Sequence, residues 1–399
     1  MIRTARRLEH IEPFYVMECA KAASVIAASP ACNPALGGER MIFLSVGEPD
    51  FGAAPRVVQA AQDCLAAGST QYTQATGLAE LRERISQWYA QRFGLQVDPA
   101  RIVVTAGASA ALQLITTALF EPGDEVLMPD PSYPCNRHFV AAAGAHATLL
   151  PAGPESRFQL SAAQVAAHWG EHTRGVLLAS PSNPTGTSIP PAEMAAIVEG
   201  VRARGGVAIV DEIYLGLGYD EAYSHSALAL GDDVISVNSF SKYFGMTGWR
   251  LGWLVLPPEL VGAVERLAQN LYICPSTLAQ RAALACFEPG SLAEYERRRA
   301  EFRRRRDFIV PALESLGLKV PVAPDGAFYV WFDCSKYSAD SWDFCMQLMH
   351  RAHVALTPGR DFGPTLANRF VRLSFANSMA QLQAALARMA RELENWQPR

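Results

Sequence analysis

The sequence predicts an α/β protein, in which a large domain with a mostly parallel sheet between helices is joined to a smaller α+β domain. Two observations lead to this prediction. Short β-branched runs that are apolar on both faces alternate with helix-like segments, which is typical of strands buried in a parallel sheet. Beyond residue 285 this alternation stops, and a long charged helix is followed by two strands and a closing helix.

Six apolar runs are predicted to be the strands of the large sheet. They lie at residues 102–105, 125–128, 175–179, 207–211, 234–238 and 252–256. Segments with helical periodicity fall between them, for example at 110–120 and 191–204. Because strands and helices alternate, we expect a layered domain with helices packed on the sheet.

The smaller domain is predicted from the last part of the chain. A charged helix at 292–316 precedes a strand at 327–332, and a strand at 370–375 precedes a closing helix at 379–394. We expect three regions, described here by their bounds. Residues 1–44 form an N-terminal arm and part of the small domain, residues 45–285 the large ligand-binding domain, and residues 286–399 the small C-terminal domain.

The composition is that of a globular protein without a strongly charged partner. Half of the 399 residues are hydrophobic and 19% are charged, so a large buried core is expected and extended disorder is not. The net charge of -4 argues against nucleic acid and acidic membranes as partners. Glu294 and Arg298, like Glu301 and Arg305, are spaced as i,i+4 pairs, so the arginine-rich stretch at 297–306 is expected to be a solvated helix face.

The cysteines and the N-terminus favour a cytoplasmic protein. The eight cysteines include no CxxC pair and none lies near a histidine at zinc-ligand spacing, which favours buried thiols and no metal site. The arginines near the N-terminus are not followed by an apolar run, so no secretory signal is expected. No apolar stretch is long enough to span a membrane.

Unusual polar residues follow four of the predicted strands. They are Gly107-Ala108-Ser109, the segment 180–186 with Asn183, Asp211-Glu212-Ile213-Tyr214, and Ser239-Phe240-Ser241-Lys242. Ligands of open α/β sheets bind beyond the carboxyl ends of the strands. We therefore expect these four strand ends to form one site.

Each of these features has a functional and a plainer interpretation. Gly107-Ala108-Ser109 is either an anion cradle at a helix start or a simple strand-to-helix turn. Asp211 either keeps a heterocyclic nitrogen protonated or acts as a cap or ion-pair partner. Lys242 has the small and aromatic neighbours that suit a Schiff-base amine, whereas most lysines lie on surfaces. Arg372, in the middle of a strand, faces either a buried anion or solvent.

Taken together, these segments resemble the class I/II aminotransferases, which are pyridoxal phosphate (PLP) enzymes of fold type I. The resemblance runs from Val46 to Ala376 and rests on the following motifs. They are Val46–Phe51, Pro131-Ser132-Tyr133-Pro134, Asn183-Pro184-Thr185-Gly186, Asp211–Tyr214, Ser239–Lys242, Gly248-Trp249-Arg250-Leu251-Gly252 and Arg372. The resemblance implies a PLP-dependent aminotransferase that works as a homodimer with shared active sites.

The resemblance also implies a role for each residue. Lys242 would carry PLP and move the substrate proton, with Asp211 at the pyridine nitrogen and Tyr214 at the 3-hydroxyl, and these three are the expected catalytic residues. The remaining cofactor contacts would be Gly107, Ala108, Ser109, Ser239 and Arg250 around the phosphate, Tyr133 on the ring, Asn183 at the 3-hydroxyl, and Tyr72, which would reach the phosphate in the partner subunit. Substrate would be contacted by Gly47, Asn183 and Arg372, with Arg372 on the α-carboxylate.

Three other functions share some of these features. A PLP-dependent C–S β-lyase would use the same scaffold, but it needs a leaving group at Cβ and no second oxo acid. A PLP-binding regulator would carry a DNA-binding domain in front, whereas the residues before Val46 look like an arm and a helix. A nicotinamide dehydrogenase is disfavoured because no predicted strand is followed by GxGxxG.

The amino donor is expected to have an uncharged side chain, and the acceptor to be a 2-oxo acid such as 2-oxoglutarate or pyruvate. A dicarboxylic donor needs a second cation, and the segment 107–110 contains none, although Arg360 or the partner chain could supply one. Four residues of the N-terminal segment either line an apolar side-chain pocket or only pack the arm, namely Ile11, Phe14, Tyr15 and Val16. An aspartate aminotransferase is the alternative.

Overall fold

The computed structural model describes residues 2–13 and 15–396, and its elements confirm the predicted α/β class. The strands are β1 Ile42–Phe43, β2 Ile102–Thr105, β3 Glu125–Asp130, β4 His146–Pro151, β5 Thr173–Ala179, β6 Val207–Asp211, β7 Ile235–Ser239, β8 Gly252–Val255, β9 Tyr329–Asp333, β10 Val354–Ala355, β11 Thr357–Pro358 and β12 Phe370–Ser374. The α-helices are α1 Tyr15–Ala27, α2 Pro55–Ala66, α3 Ala79–Phe93, α4 Ala108–Leu119, α5 Pro134–Ala143, α6 Ala162–His168, α7 Pro191–Arg202, α8 Pro258–Leu271, α9 Thr277–Ala283, α10 Pro289–Ser315, α11 Ser341–Arg351 and α12 Met379–Leu393.

The large sheet contains seven strands in the order β2-β8-β7-β6-β5-β3-β4. The pairs from β7 through β6, β5 and β3 to β4 are parallel, and the central strands are buried on both faces, as their apolar sequences predict. Because these strands run in one direction, their carboxyl ends share one edge of the sheet. That edge carries Asp211 at the end of β6 and Ser239 at the end of β7.

Strand β8 is antiparallel to both of its neighbours, β2 and β7. Thr105 at the end of β2 therefore pairs with Gly252 at the start of β8. The residues that follow β2 and the residues that precede β8 consequently meet at the same edge of the sheet. This reversal brings Gly107 close to Arg250, although the two are far apart in sequence.

An aromatic cluster anchors the loop between β7 and β8. The ring of Phe240 lies 5.0 Å from those of Trp253 and Phe244, and all three side chains are buried. Phe240 and Phe244 flank Lys242 on either side in sequence. Their burial holds the backbone in place on both sides of Lys242, because large aromatic rings bury much apolar area.

A smaller antiparallel sheet, in the order β11-β12-β9, is built from the C-terminal part of the chain, as the sequence predicts. The short strand β1 pairs in parallel with β10, which connects the end of the N-terminal region 1–44 to this part of the molecule. Helix α1 packs there through Cys19 and Ala23 against Met349 and Ala355. Within residues 2–13 and 15–396, no helix is long and apolar enough to cross a membrane.

Two parts of the sequence prediction need correction. Strand β4 was not predicted, because it lies at the sheet edge, is half exposed, and lacks a run of buried β-branched residues. Element ends are shifted by a few residues, and α10 begins at Pro289 rather than at 292. The charged pairs on α10 form as expected, with Arg298 Nε 2.7 Å from Glu294 Oε1 and Arg305 Nε 2.9 Å from Glu301 Oε1. The expected solvated face is wrong for Arg305, which is buried because it also pairs with Asp50 at 2.8 Å.

Candidate active site

The polar residues at the four strand ends meet in one cavity of about 410 Å³. Among the residues predicted for the site, those that line it are Gly47, Ala108, Ser109, Tyr133, Asn183, Asp211, Tyr214, Ser239, Lys242, Arg250 and Arg372. Gly107 lies immediately beside it, at the start of α4. The sequence argument about strand ends therefore locates a real cavity, although it does not by itself assign the role of each side chain.

Lys242 extends into this cavity as a half-buried amine. Its Nζ donates a hydrogen bond to the Gly47 carbonyl oxygen at 2.7 Å and lies 5.7 Å from the ring centre of Tyr214. Burial, followed by the positive charge of Arg372, lowers the pKa of this amine to about 8. The neutral form of the amine, which a nucleophile or proton acceptor requires, is therefore far more populated near neutral pH than in an ordinary lysine.

Asp211 and Glu212 end β6 as two neighbouring carboxylates with different surroundings. Glu212 is satisfied by the hydroxyls of Ser226 and Ser236, at 2.9 Å and 2.6 Å, and by the Ala227 N–H at 2.7 Å. Asp211 lines the cavity, and its Oδ1 accepts a hydrogen bond from the Ile213 N–H at 3.1 Å. Burial raises the pKa of Asp211 to about 7, so this carboxylate is suited to a cationic partner.

Arg372, in β12, points inward and is only 2% exposed. Its Nη1 donates to Asn183 Oδ1 at 2.9 Å, and its Nη2 donates to the Ser45 carbonyl oxygen at 2.6 Å. Its Nε is buried without a hydrogen-bond partner in the described part of the chain, and no carboxylate there forms an ion pair with it. A buried guanidinium in this condition is suited to bind a carboxylate from outside the chain.

Gly47 lies between the lysine and the arginine. A Cβ atom at this position would come within 2.9 Å of the Tyr329 hydroxyl and 4.0 Å of Arg372 Nη1. Any side chain here would thus intrude on the space in front of the guanidinium. The glycine keeps that space open, and its carbonyl oxygen positions Lys242.

A second positive region forms where α4 begins. Gly107 has φ of 85°, and a Cβ there would come within 2.5 Å of Arg250 Nη2. Arg250 itself adopts a left-handed backbone conformation with φ of 53°. The Ser239 hydroxyl accepts from the Ser241 N–H at 3.0 Å and lines the same wall. Free N–H groups at a helix start, an arginine and hydroxyls make a cradle for an anion.

Tyrosines close the remaining sides of the cavity. The hydroxyls of Tyr214 and Tyr329 lie 2.8 Å apart, and the ring of Tyr329 lies 4.6 Å beneath the guanidinium carbon of Arg372. Burial raises the pKa of Tyr133 and of Tyr214 well above the ordinary tyrosine value. Both therefore stay protonated near neutral pH.

Tyr329, Ser45 and Thr357 contribute to the site but were not predicted from the sequence. Tyr329 is one aromatic residue inside an apolar strand, and Ser45 acts through its backbone carbonyl. Thr357 accepts a hydrogen bond from Arg372 Nη2 at 3.3 Å through its side chain, but it lies in a strand of two residues. None of these leaves a distinctive sequence signal.

Several predicted residues lie elsewhere. Tyr72 is 78% exposed and does not line the cavity of its own chain. Of the apolar arm residues, Val16 lines the cavity, Ile11 does not, and Phe14 is outside the described residues. Tyr15 and Arg360 instead line a separate cleft of about 990 Å³ between the arm and α5, so in this chain Arg360 does not supply a second cation to the site.

Comparison with known proteins identifies this arrangement. The sequence profile described as "Aminotransferase class I and II" matches residues 39–389. A valine–pyruvate aminotransferase of Mycobacterium tuberculosis is 40% identical over 389 residues, which is 97% of each chain. The crystal structure of an aminotransferase from Mycobacterium tuberculosis matches with a TM-score of 0.93 at 39% identity, over 99% of this chain and 100% of that one. An aspartate aminotransferase from Thermus thermophilus with maleate gives 0.89 at 32% identity, over 98% and 100%.

The fold, the cavity and these similarities define the class: the chain belongs to the class I and II aminotransferases, with PLP fold type I. Within that class it is a PLP-dependent transaminase, which confirms the enzyme and cofactor predicted from its sequence.

The residues of the cavity fit this cofactor. Three basic side chains, Lys242, Arg250 and Arg372, line the cavity beside two carboxylates, Asp211 and Glu48, so the ionised side chains leave a surplus of one positive charge. A phosphate and a substrate carboxylate would offset that surplus. The buried carboxylate of Asp211 would in turn be stabilised by a protonated ring nitrogen.

Proposed function

We propose that the cavity around Lys242 binds PLP and moves the amino group of an L-amino acid with an uncharged side chain to a 2-oxo acid such as pyruvate or 2-oxoglutarate. The observation that carries this proposal is the combination of three groups in one cavity. Lys242 is an amine with a lowered pKa, Asp211 is a buried carboxylate, and Arg372 is a buried guanidinium with no carboxylate partner among the described residues.

In this proposal each group of the cavity has a defined role toward the cofactor. Lys242 attaches PLP covalently, Asp211 pairs with the pyridine nitrogen, and Tyr214 and Asn183 donate to the 3-hydroxyl. Tyr133 packs on the ring, and the phosphate is held at the start of α4 by the residues of the cradle, which are Gly107, Ala108, Ser109, Ser239 and Arg250.

Bound PLP supplies an electron sink that stabilises negative charge at the substrate Cα. Lys242 would be the group that takes up and gives back the Cα proton, because its amine is largely neutral above a pH of about 8. Arg372 binds the α-carboxylate through its guanidinium fork. Because hydrogen bonds to Asn183 and Ser45 already fix the guanidinium of Arg372, this side chain needs little reorientation when substrate binds.

The preference for an uncharged donor follows from the composition of the cavity lining. Its apolar members include Val16, Met17, Ala20, Leu112 and Ile213, and the only basic side chains among the described lining residues are Lys242, Arg250 and Arg372. All three have roles in binding or chemistry, so none remains for a distal carboxylate. A relative named valine–pyruvate aminotransferase supports an apolar donor and pyruvate as acceptor, whereas one named aspartate aminotransferase keeps the alternative open.

Single-turnover conversion of the PLP form to the amine form tests this proposal. Valine, alanine and phenylalanine are expected to react with a higher kcat/KM than aspartate. If aspartate exceeds every neutral donor by about tenfold, which corresponds to about 1.4 kcal/mol, the preference is wrong. Release of ammonia and an oxo acid from a β-substituted cysteine, without any acceptor, would instead favour the β-lyase.

We further propose a homodimer in the cytoplasm. Tyr72 is exposed and outside its own cavity, which is consistent with a contact to the site of a second subunit. All eight cysteines are free thiols, which favours a reducing compartment. The proposed division at residues 44 and 285 is supported by the sheets, since the strands of the large sheet all precede 285 and those of the three-stranded sheet all follow it.

A further inference from the structure

The first turns of α1 contribute Val16, Met17 and Ala20 to the apolar lining of the cavity, and we call these three residues the donor wall. Few apolar contacts hold this part of the helix in place. Val16, Met17 and Ala20 line the cavity, while Met17 is 63% exposed overall. The described residues of α1 that are fully buried are Cys19 and Ala23. Two small buried side chains contribute little to the docking of a helix, so another interaction must fix its start.

That interaction comes from Asp361, which is only 1% exposed. Its Oδ1 accepts a hydrogen bond from the Tyr15 N–H at 3.0 Å, and its Oδ2 accepts one from the Val16 N–H at 3.0 Å. The Asp361 carboxylate forms no ion pair with any described residue, and burial raises its pKa to about 6 against the opposing effect of the Val16 and Tyr15 N–H groups and of the charges on Arg372 and Arg137. A buried carboxylate needs compensating partners, and the start of α1 provides the hydrogen bonds among them.

The same segment of chain also contacts Arg372. We call residues 357–362 the latch segment. At its beginning, Thr357 Oγ1 accepts a hydrogen bond from Arg372 Nη2 at 3.3 Å. At its end, the ring centre of Phe362 lies 5.0 Å from the Arg372 guanidinium carbon. The latch segment therefore connects the group that would bind the α-carboxylate with the helix that forms the donor wall.

We propose that Asp361 is a positioning residue for transamination, which sets the affinity for large apolar donors by holding α1 against the cavity. This inference rests on the proposed function, because it takes Arg372 as the carboxylate site and α1 as the donor wall. If the start of α1 is released, only those enzyme molecules in which α1 is docked against the cavity can bind a donor that contacts the donor wall. The apparent affinity for such a donor then decreases in proportion to the docked fraction. Alanine, whose side chain is one methyl group, depends on the wall least.

The test compares donors in the PLP-loaded enzyme. In Asp361→Ala, the concentration of valine or phenylalanine that half-saturates the single-turnover rate should rise about tenfold. For alanine it should change less than about threefold, and the limiting rates should stay within about threefold. Asp361→Asn, which keeps one acceptor oxygen, should lie between wild type and Asp361→Ala. Ser378→Ala removes the N-cap of α12, away from the cavity, and serves as the matched control with unchanged donor constants.

A double-mutant cycle separates positioning from general destabilisation. The wall is truncated in Val16→Ala/Met17→Ala, and Asp361→Ala is then added. If Asp361 acts through the donor wall, adding Asp361→Ala in that background should change the half-saturating concentrations of the large donors little further. Equal losses for alanine and phenylalanine, losses confined to the limiting rate, or additive effects in the cycle would each overturn the inference. A wild type that converts no donor at all would instead overturn the proposed function.

Discussion

The hydroxyls of Tyr214 and Tyr329 lie 2.8 Å apart, and their rings meet edge to face with centres 5.6 Å apart. Tyr214 follows β6 of the large sheet and Tyr329 begins β9 of the small sheet. This pair therefore joins the two sheets at the wall of the cavity. It also connects the proposed cofactor contact Tyr214 to Arg372, because the Tyr329 ring lies beneath that guanidinium.

Tyr329→Phe should lower kcat/KM for amino donors about fivefold to tenfold, or about 1 to 1.4 kcal/mol. The reason is that the buried Tyr214 hydroxyl loses its partner while the ring beneath Arg372 is retained. Steady-state kinetics with valine and pyruvate measures the effect. Tyr337→Phe is the control, since the Tyr337 hydroxyl donates to the Leu316 carbonyl oxygen outside the cavity. An unchanged kcat/KM in Tyr329→Phe would show that the contact between the Tyr214 and Tyr329 hydroxyls does not contribute to the reaction.

Lys242 should be the lysine that carries PLP. The chain has only four lysines, Lys21, Lys242, Lys319 and Lys336, so borohydride reduction followed by peptide mapping distinguishes them cleanly. The pyridoxyl group is expected on Lys242 alone. Lys336→Ala changes an exposed lysine and should leave attachment intact. A label on any of the other three would contradict the assignment.

The rate of that attachment should rise with pH and level off above about 8. The pKa of Lys242 is lowered from 10.5 to about 8, and only the neutral amine attacks the cofactor aldehyde. The neutral fraction therefore increases as pH rises through the folded-state pKa. Stopped-flow absorbance on the cofactor-free enzyme gives the profile. A midpoint near the ordinary lysine value would show that the amine is not perturbed.

Asp211→Ala should retain PLP but slow proton abstraction at least about a hundredfold, or about 2.7 kcal/mol, because a preorganised charge at the ring nitrogen is lost. Single-turnover kinetics with a saturating neutral donor measures this. Glu212→Gln is the comparison, because Glu212 is bonded to Ser226, Ser236 and Ala227 instead of facing the cavity. Glu212→Gln should lower the free energy of unfolding, and its effect on the rate of proton abstraction should be the smaller one. A near-normal rate in Asp211→Ala would rule out the role.

The same carboxylate predicts how the stability of the cofactor-free protein depends on pH. The folded-state pKa of Asp211 is raised from 3.8 to about 7, so the folded state prefers the protonated form. Its contribution is therefore favourable at low pH and is lost as pH rises through about 7. Asp211→Asn should raise the unfolding temperature of cofactor-free protein at about pH 8 more than at about pH 5. Thermal unfolding at both pH values tests the sign.

Tyr72→Phe should weaken PLP binding about tenfold if the tyrosine contacts the cofactor phosphate in a second subunit. The expectation is supported by the exposure of Tyr72 and by its absence from the lining of the cavity in its own chain. Equilibrium binding of PLP measures the change, and sedimentation velocity gives the assembly state. A monomer with full activity, or wild-type affinity in the variant, would contradict a shared site.

The sequence is sufficient to bring together the central residues of the cavity, because local patterns determine where they lie. Asp211 and Ser239 each end a short apolar run, so their place at the carboxyl edge follows from the strands alone. Lys242 is likewise placed by the buried aromatic residues beside it. The orientation of Arg372 was undecided from the sequence, because both faces of β12 are buried and only tertiary packing determines which one meets the cavity.

Other features depend on contacts that a single sequence does not display. Tyr329 reaches the cavity only because the small sheet packs against the carboxyl edge of the large one. Ser45 contributes a backbone carbonyl, which any residue type could provide. Asp361 acts on the start of α1 from 346 positions away, so no local motif reveals it.

The position of β8 between β2 and β7 has a consequence for synthesis of the protein. While a nascent chain still lacks residues 252–255, β2 has no partner and β7 has one open edge. Such open edges can pair with strands of other chains, and this exposure ends only when β8 fills the position between β2 and β7. Arg250 arrives with β8, and only then does it stand beside Gly107. If that pair holds the cofactor phosphate as proposed, the phosphate site can form only after β8 has joined the sheet.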